Sequence, residues 1–130
     1  MTLLRQVYSS GAPWEQTFGY RRAVRLGHMI CVSGTAPIDD AGNTFAPGDA
    51  YAQTRRCFEI AIQALLALGA GTHHVVRTRM YVTDITRAGE YGRAHAEFFG
   101  SHPCASTMVE VSRLISPDML VEVELDALAP

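Results

Sequence analysis

The sequence predicts an α+β fold: a mixed sheet of five to six strands with two helices packed on one face. Three observations lead there. The stretches after Asp49 and after Thr86 carry apolar residues at three- and four-residue steps, the stripe of an amphipathic helix. Val75 to Thr83 and several segments near both ends alternate between apolar and polar residues, the period of a half-buried strand. The elements run strand, strand, strand, helix, strand, helix, strand, strand, and two helices can cover only one side of such a sheet. A length of 130 residues suits one domain over residues 1–130, enough to bury a single core.

Leu3 to Tyr8 reads as a first strand followed by a loop containing Gly11 and Pro13. Tyr20 to Leu26 and Met29 to Ser33 then form a hairpin that turns at Gly27-His28. Asp39 to Asn43 is turn chemistry, and Pro47-Gly48 closes that loop. Asp49 is a strong helix N-cap, because its carboxylate can accept from orphan backbone N–H groups. Thr54, Phe58, Ala61, Leu65 and Leu68 form the buried stripe of the first helix, and Gly69 suits its exit. Val76, Thr78, Met80 and Val82 share one side of the following strand, and Arg77, Arg79 and Tyr81 the other. The second helix spans about Thr86 to Phe99, with Ala88, Tyr91, Ala94, His95 and Phe98 inward. Two final strands contain Val109-Glu110-Val111 and Val121-Glu122-Val123-Glu124. The helix-free face is expected to carry Met108, Glu110, Glu122 and Glu124, with Met80 and Val82 or their neighbours adding apolar area, a mixture that suits a subunit interface with a polar pocket.

Composition narrows the function. A formal charge of −2 gives no reason to expect a nucleic-acid partner, and Arg21, Arg22 and Arg25 are the one dense basic run. On a strand Arg22 would point away from the other two. All eleven basic residues are Arg, which removes Schiff-base and P-loop lysine chemistry. Cys31, Cys57 and Cys104 are three in number and widely spaced, so a disulfide framework is not expected. No signal-peptide pattern opens the chain and no apolar run reaches membrane-spanning length. Free thiols without an export signal point to the cytoplasm. His73 and His74 are expected on opposite faces of a strand and so unable to share a metal; no metal site and no cofactor are predicted.

Several segments fall in an informative order. Tyr20-x-x-Ala23-Val24, Val32-Ser33-Gly34-Thr35-Ala36-Pro37, Gln53-Thr54-Arg55 and Val82-Thr83-Asp84 precede Pro103 to Val111 and Leu120 to Leu125. Together they resemble the Rid/YjgF family of imine and enamine deaminases. The resemblance implies a chorismate-mutase-like fold and a homotrimer whose sheets form an inner barrel. It also implies three small-molecule pockets between subunits, with an anionic ligand among the possibilities.

Residue by residue, the resemblance makes Glu122 the catalytic, water-holding glutamate and places Tyr20, Ser33 and Gly34 in the pocket. Ser106, Thr107 and Met108 would supply the rest of the substrate-binding wall. Family deaminases grip a substrate carboxylate with an arginine, whose planar fork matches a carboxylate. Counting back from Val109-Glu110-Val111 puts that position at Ser106; counting forward from Pro103 puts it at Ala105. Neither is an arginine. Arg77 or Arg79 could replace it, or serve as ordinary ion pairs. Three functions remain open: hydrolysis of a small imine, enamine or related C=N compound other than a simple 2-imino acid; ligand binding without chemistry; and ribonuclease or translation-inhibitor activity. The charge balance and the absence of an acid/base histidine pair argue against the last.

Overall fold

The computed structural model describes residues 2–130. Six strands form one mixed sheet: β1 (Arg5–Tyr8), β2 (Ala23–Leu26), β3 (Met29–Thr35), β4 (Val75–Val82), β5 (Ala105–Glu110) and β6 (Val121–Leu128). Their spatial order is β1-β2-β3-β6-β4-β5, so the last strand lies between β3 and β4. Only β4 and β5 run parallel, and a helix joins them as parallel pairing requires. The helices are α1 (Pro13–Phe18), α2 (Ala50–Ala67) and α3 (Ala88–Phe99).

The two long helices form where the apolar spacing places them. The Asp49 carboxylate caps α2 by accepting from the Ala52 N–H at 2.9 Å. The short helix α1 was not expected, because its six residues bury no apolar stripe. Pro13 opens it, and Gly19, at φ 75°, closes it in a conformation that costs glycine little.

Phe58 and Leu65 of α2 and Tyr91 and Phe99 of α3 meet Ile30, Val32, Val82, Val121, Val123 and Leu125 of the sheet in one buried cluster. The Phe58 and Phe99 rings pack edge to face with centroids 5.1 Å apart. Arg25 ties the sheet edge to this layer. Its Nη1 donates to the Leu68 carbonyl at the end of α2, and its Nη2 to the Ala129 and Pro130 carbonyls.

Register decides which side chains face away from the helices. Cross-strand pairs place Arg77, Arg79 and Tyr81 on the open side with Asp126, Glu124 and Glu122, and with Ala105, Thr107 and Val109. Met80 and Val82 are buried beneath the helices instead, and Met108 packs against the same core. Glu110 also shares that side, where it accepts from the Ile85 N–H. The expectation that Met80, Val82, Met108 and Glu110 line the open face is therefore corrected. Its apolar groups are Val7, Leu26, Met29, Val109 and Leu128, all substantially exposed. One further shift occurs at the start of β4. The pairing slips between Val75 and Arg77, so Val75 is buried and Val76 exposed, against a plain alternation.

Removing the α2 cap offers a direct check of this local physics. Asp49→Ala should lower stability by about 1 kcal/mol in urea unfolding while leaving the near-ultraviolet dichroism unchanged.

Candidate functional site

The residues that gather at one end of the open face come from α1, the approach to β2, the end of β3 and the start of β6. Glu15 on α1 is almost fully buried, and its Oε2 accepts from the Ser10 N–H and hydroxyl at 3.0 and 2.6 Å and from the Ala12 N–H at 3.3 Å. Burial pushes this carboxyl up, but the hydrogen bonds from Ser10, Ser9 and Ala12 outweigh it and hold the group below its ordinary range. Ser10 Oγ also accepts from Arg22 Nε at 3.5 Å.

Arg22 is 7% exposed, not a strand residue turned to solvent. Its Nη1 donates to the Gly34 carbonyl and to the Thr35 hydroxyl. Its guanidinium carbon lies 5.7 Å from the centre of the Tyr20 ring. Ser33 is anchored too: its N–H donates to the Arg22 carbonyl at 2.9 Å and its hydroxyl to the Arg21 carbonyl at 2.7 Å.

Beside Ser33 the pairing of β3 with β6 is irregular between Val32 and Thr35, as at a bulge. There Gly34 meets Glu122. A Cβ built on Gly34 would collide with Glu122 Oε2 and stand 3.4 Å from its Cδ, so only glycine lets the carboxylate lie against the β3 backbone. Gln53, fully buried on α2, fixes the approach to β6. It donates to the Asp118 carbonyl at 3.0 Å and accepts from the Leu120 N–H at 2.8 Å.

Glu122 is raised above its usual carboxylate range, first by burial and then by the neighbouring Glu124, with Arg22 pulling the other way. Glu124 accepts from the Tyr81 hydroxyl at 2.6 Å and from Arg79 Nη1 at 3.4 Å, and Asp126 accepts from the same nitrogen at 3.2 Å. Arg79 thus has two carboxylate partners on its own sheet.

Of the residues the sequence singled out, Tyr20, Ser33, Gly34 and Glu122 come together around Arg22. Tyr20 also lines an open depression of about 420 Å³ with Arg5, Val7, Gln16, Gly19, Arg21 and Val24. Thr107 lies on the same face, paired with Arg79. Ser106 and Met108 do not join them. Ser106 accepts from the Thr78 hydroxyl at 2.9 Å on the helix side, where Thr78 also meets His95 Nε2 at 2.7 Å. The parity of β5 therefore puts Ala105, not Ser106, on the open face beside Arg77. Arg22 was missed because tandem arginines ahead of a strand carry no signal for burial. His73 and His74 also depart from expectation. They occupy a 3₁₀ turn, Thr72–His74, with ring centroids 3.9 Å apart rather than on opposite strand faces. Among the described residues no group of three His, Cys, Asp or Glu side chains is placed to hold a metal, and no helix is long and apolar enough to cross a membrane.

The profile of the Endoribonuclease L-PSP family matches residues 9–129. A Mycobacterium tuberculosis member of the YjgF/YER057c/UK114 family superposes with a TM-score of 0.88 at 44% identity, covering 97% of this chain and all of that one. The chain belongs to the YjgF/Rid family. The Escherichia coli YjgF gene product is similar at 27% identity and a TM-score of 0.79, over 95% and 94% of the two chains. An uncharacterized protein of Streptomyces coelicolor is 36% identical over 91% of this chain and 87% of its own length. A RutC family protein of Pyrococcus abyssi is 34% identical over 81% and 82%. The α+β architecture with a mixed six-strand sheet is that of these YjgF structures, whose fold is chorismate-mutase-like.

The raised proton affinity of Glu122 has a stability consequence with a definite sign. A carboxyl whose folded pKa exceeds its unfolded value, about 4.3, binds its proton more tightly when folded. Its contribution is fully present below that unfolded value and is lost as pH rises through the folded one. Urea midpoints should therefore show Glu122→Gln gaining on the native protein between pH 4 and pH 7. An unchanged difference across that range would mean that Glu122 is solvated.

Proposed function

We propose that this protein is a small-molecule hydrolase acting on an imine, enamine or related C=N compound, in a pocket completed by a second subunit of a homotrimer. The observation that carries this reading is Glu122, a half-buried carboxylate of raised proton affinity held against the Gly34 backbone. Such a group suits a general base that must also act as an acid. Glu122 takes a proton from water as the oxygen bonds to the imine carbon and returns it to the nitrogen, giving a carbinolamine; it then carries the hydroxyl proton of that adduct to the amine. The C–N bond breaks, a carbonyl forms and ammonia leaves. Tyr20, Ser33 and Gly34 form the wall beside it, and Thr107 of the neighbouring subunit faces them.

Two features support a shared pocket. Ala105 and Arg77 are paired opposite Asp126, four residues along β6 from Glu122, which is about 13 Å at strand rise. No small substrate spans that distance within one chain. The open face also presents Val7, Leu26, Met29 and Leu128, all exposed, as an apolar margin that a second copy would cover. We assign one domain to each subunit and place the protein in the cytoplasm, in keeping with its three free thiols. The −2 charge gives no support to a nuclease reading.

The chain has no arginine between Pro103 and Val111, so we place it in a branch that lacks the family's carboxylate fork. That same absence favours the second reading, a binding trimer without chemistry. Losing a bidentate charge-assisted pair costs about 2–4 kcal/mol, roughly 30- to 1,000-fold in turnover. A 2-imino acid generated in situ by an amino-acid dehydratase should accordingly be hydrolysed slowly by the native protein. Ala105→Arg should accelerate the reaction. Ser106→Arg should not, since that side chain faces α3. Glu122→Gln should abolish turnover, and light scattering should give about three times the 14.2 kDa chain mass. A folded trimer in which neither the native protein nor Ala105→Arg turns over any C=N compound would leave the binding reading in its place.

A further inference from the structure

A guanidinium carries five N–H donors, and burying one is costly unless they are matched. Arg22 is buried, yet every partner it has is neutral: Ser10 Oγ at Nε, and the Gly34 carbonyl and Thr35 hydroxyl at Nη1. Among the described residues no carboxylate lies within 4.0 Å of it, whereas Arg79 on the same sheet is held between two. The remaining nitrogen, Nη2, makes no hydrogen bond to the described residues and is not sealed from solvent. Glu122 is near enough to feel the charge of Arg22 but forms no ion pair with it. A fixed cation and a carboxylate thus face the same small space beside Gly34, held apart, with the Tyr20 ring against the cation.

We infer that Arg22 is the anion anchor of this site, its free Nη2 edge gripping a carboxylate-class group on the ligand while the rest of the ligand extends toward Glu122. The inference rests on the reading that Tyr20, Gly34 and Glu122 wall the ligand site. It adds a residue and a ligand class to that reading. One free nitrogen gives a single-pronged contact in place of a fork, which holds a carboxylate more weakly than a bidentate arginine does. The cation is also placed differently. It approaches from the residue just ahead of β2 in the same subunit as Glu122, so the distance between anion and reacting carbon is set by this chain alone. Ser10 and Glu15 act behind it as positioning residues, since their hydrogen bonds hold Nε and fix which edge stays open.

The test follows the Arg22 Nε–H and Gly34 amide resonances of the native trimer during titration with pyruvate, with methyl pyruvate as the neutral control. Pyruvate should shift both signals saturably at millimolar concentration, and methyl pyruvate should bind about ten-fold more weakly or worse. Arg22→Gln should lose that preference, and Arg22→Lys should keep part of it. Pyruvate shifts that appear at Arg77 or Arg79 instead, or no saturable shift at Arg22, overturn the assignment. If the Gln variant does not fold, the native titration and the Lys variant decide. The hydrolase reading fails separately. Pyruvate bound at Arg22 without turnover of any C=N compound removes the chemistry and keeps the anchor, and Glu122-dependent turnover with a silent Arg22 does the reverse.

Discussion

The sixth strand, β6, is hydrogen-bonded on both sides within the sheet, between β3 and β4. Its odd-numbered residues from Val121 to Ala127 are buried under α2 and α3, and its even-numbered residues Glu122, Glu124 and Asp126 stand on the open face. A strand has period two, so these roles cannot be varied independently: any slip of one residue would bury three carboxylates and expose four apolar groups. The two β6 interfaces therefore fix the core and the acidic face together. Both pairings join residues far apart in sequence, and Gln53 locks the approach to β6 onto α2. Closing this sheet is a long-range event that local propensity does little to help.

Charge on the open face falls into two arrangements with different consequences. Around Arg79 the groups neutralise one another, with Glu124 and Asp126 sharing its Nη1 and Tyr81 donating to Glu124. Burial and Asp126 push the Cys31 thiol up, which favours its protonated form. Around Arg22 the charge is held by neutral acceptors, and Glu122, which feels that charge, forms no ion pair with it. Neutral partners fix a guanidinium's position without cancelling its field, and that is the arrangement a binding site for a charged group needs.

The short helix α1 links these parts. Glu15 satisfies the loop N–H groups that precede it and, through Ser10, steadies Arg22. Its Oε1 is buried with no partner in the structure, a cost the fold carries at this point. Trp14 and Phe18 stack on the outer side of the same helix, exposed, and contribute nothing to the buried cluster. The helix is kept by polar contacts at its start rather than by a packed stripe.

Periodicity alone determined α2, α3 and most strands, because each signal is local: Asp49 caps, Phe58 and Leu65 recur at helical spacing, and β6 alternates without interruption. The ordered motifs likewise brought Tyr20, Ser33, Gly34 and Glu122 forward as one group, and the fold gathers them. What the sequence could not contain was parity and burial set by partners. The slip between Val75 and Arg77, the turn of Met80 and Val82 beneath the helices, and the choice of Ala105 over Ser106 for the open face all depend on which strand lies alongside. Arg22 was illegible for the same reason. An arginine is buried only where distant carbonyls and hydroxyls can receive its hydrogens, and Gly34, Thr35 and Ser10 become its neighbours only when the sheet closes.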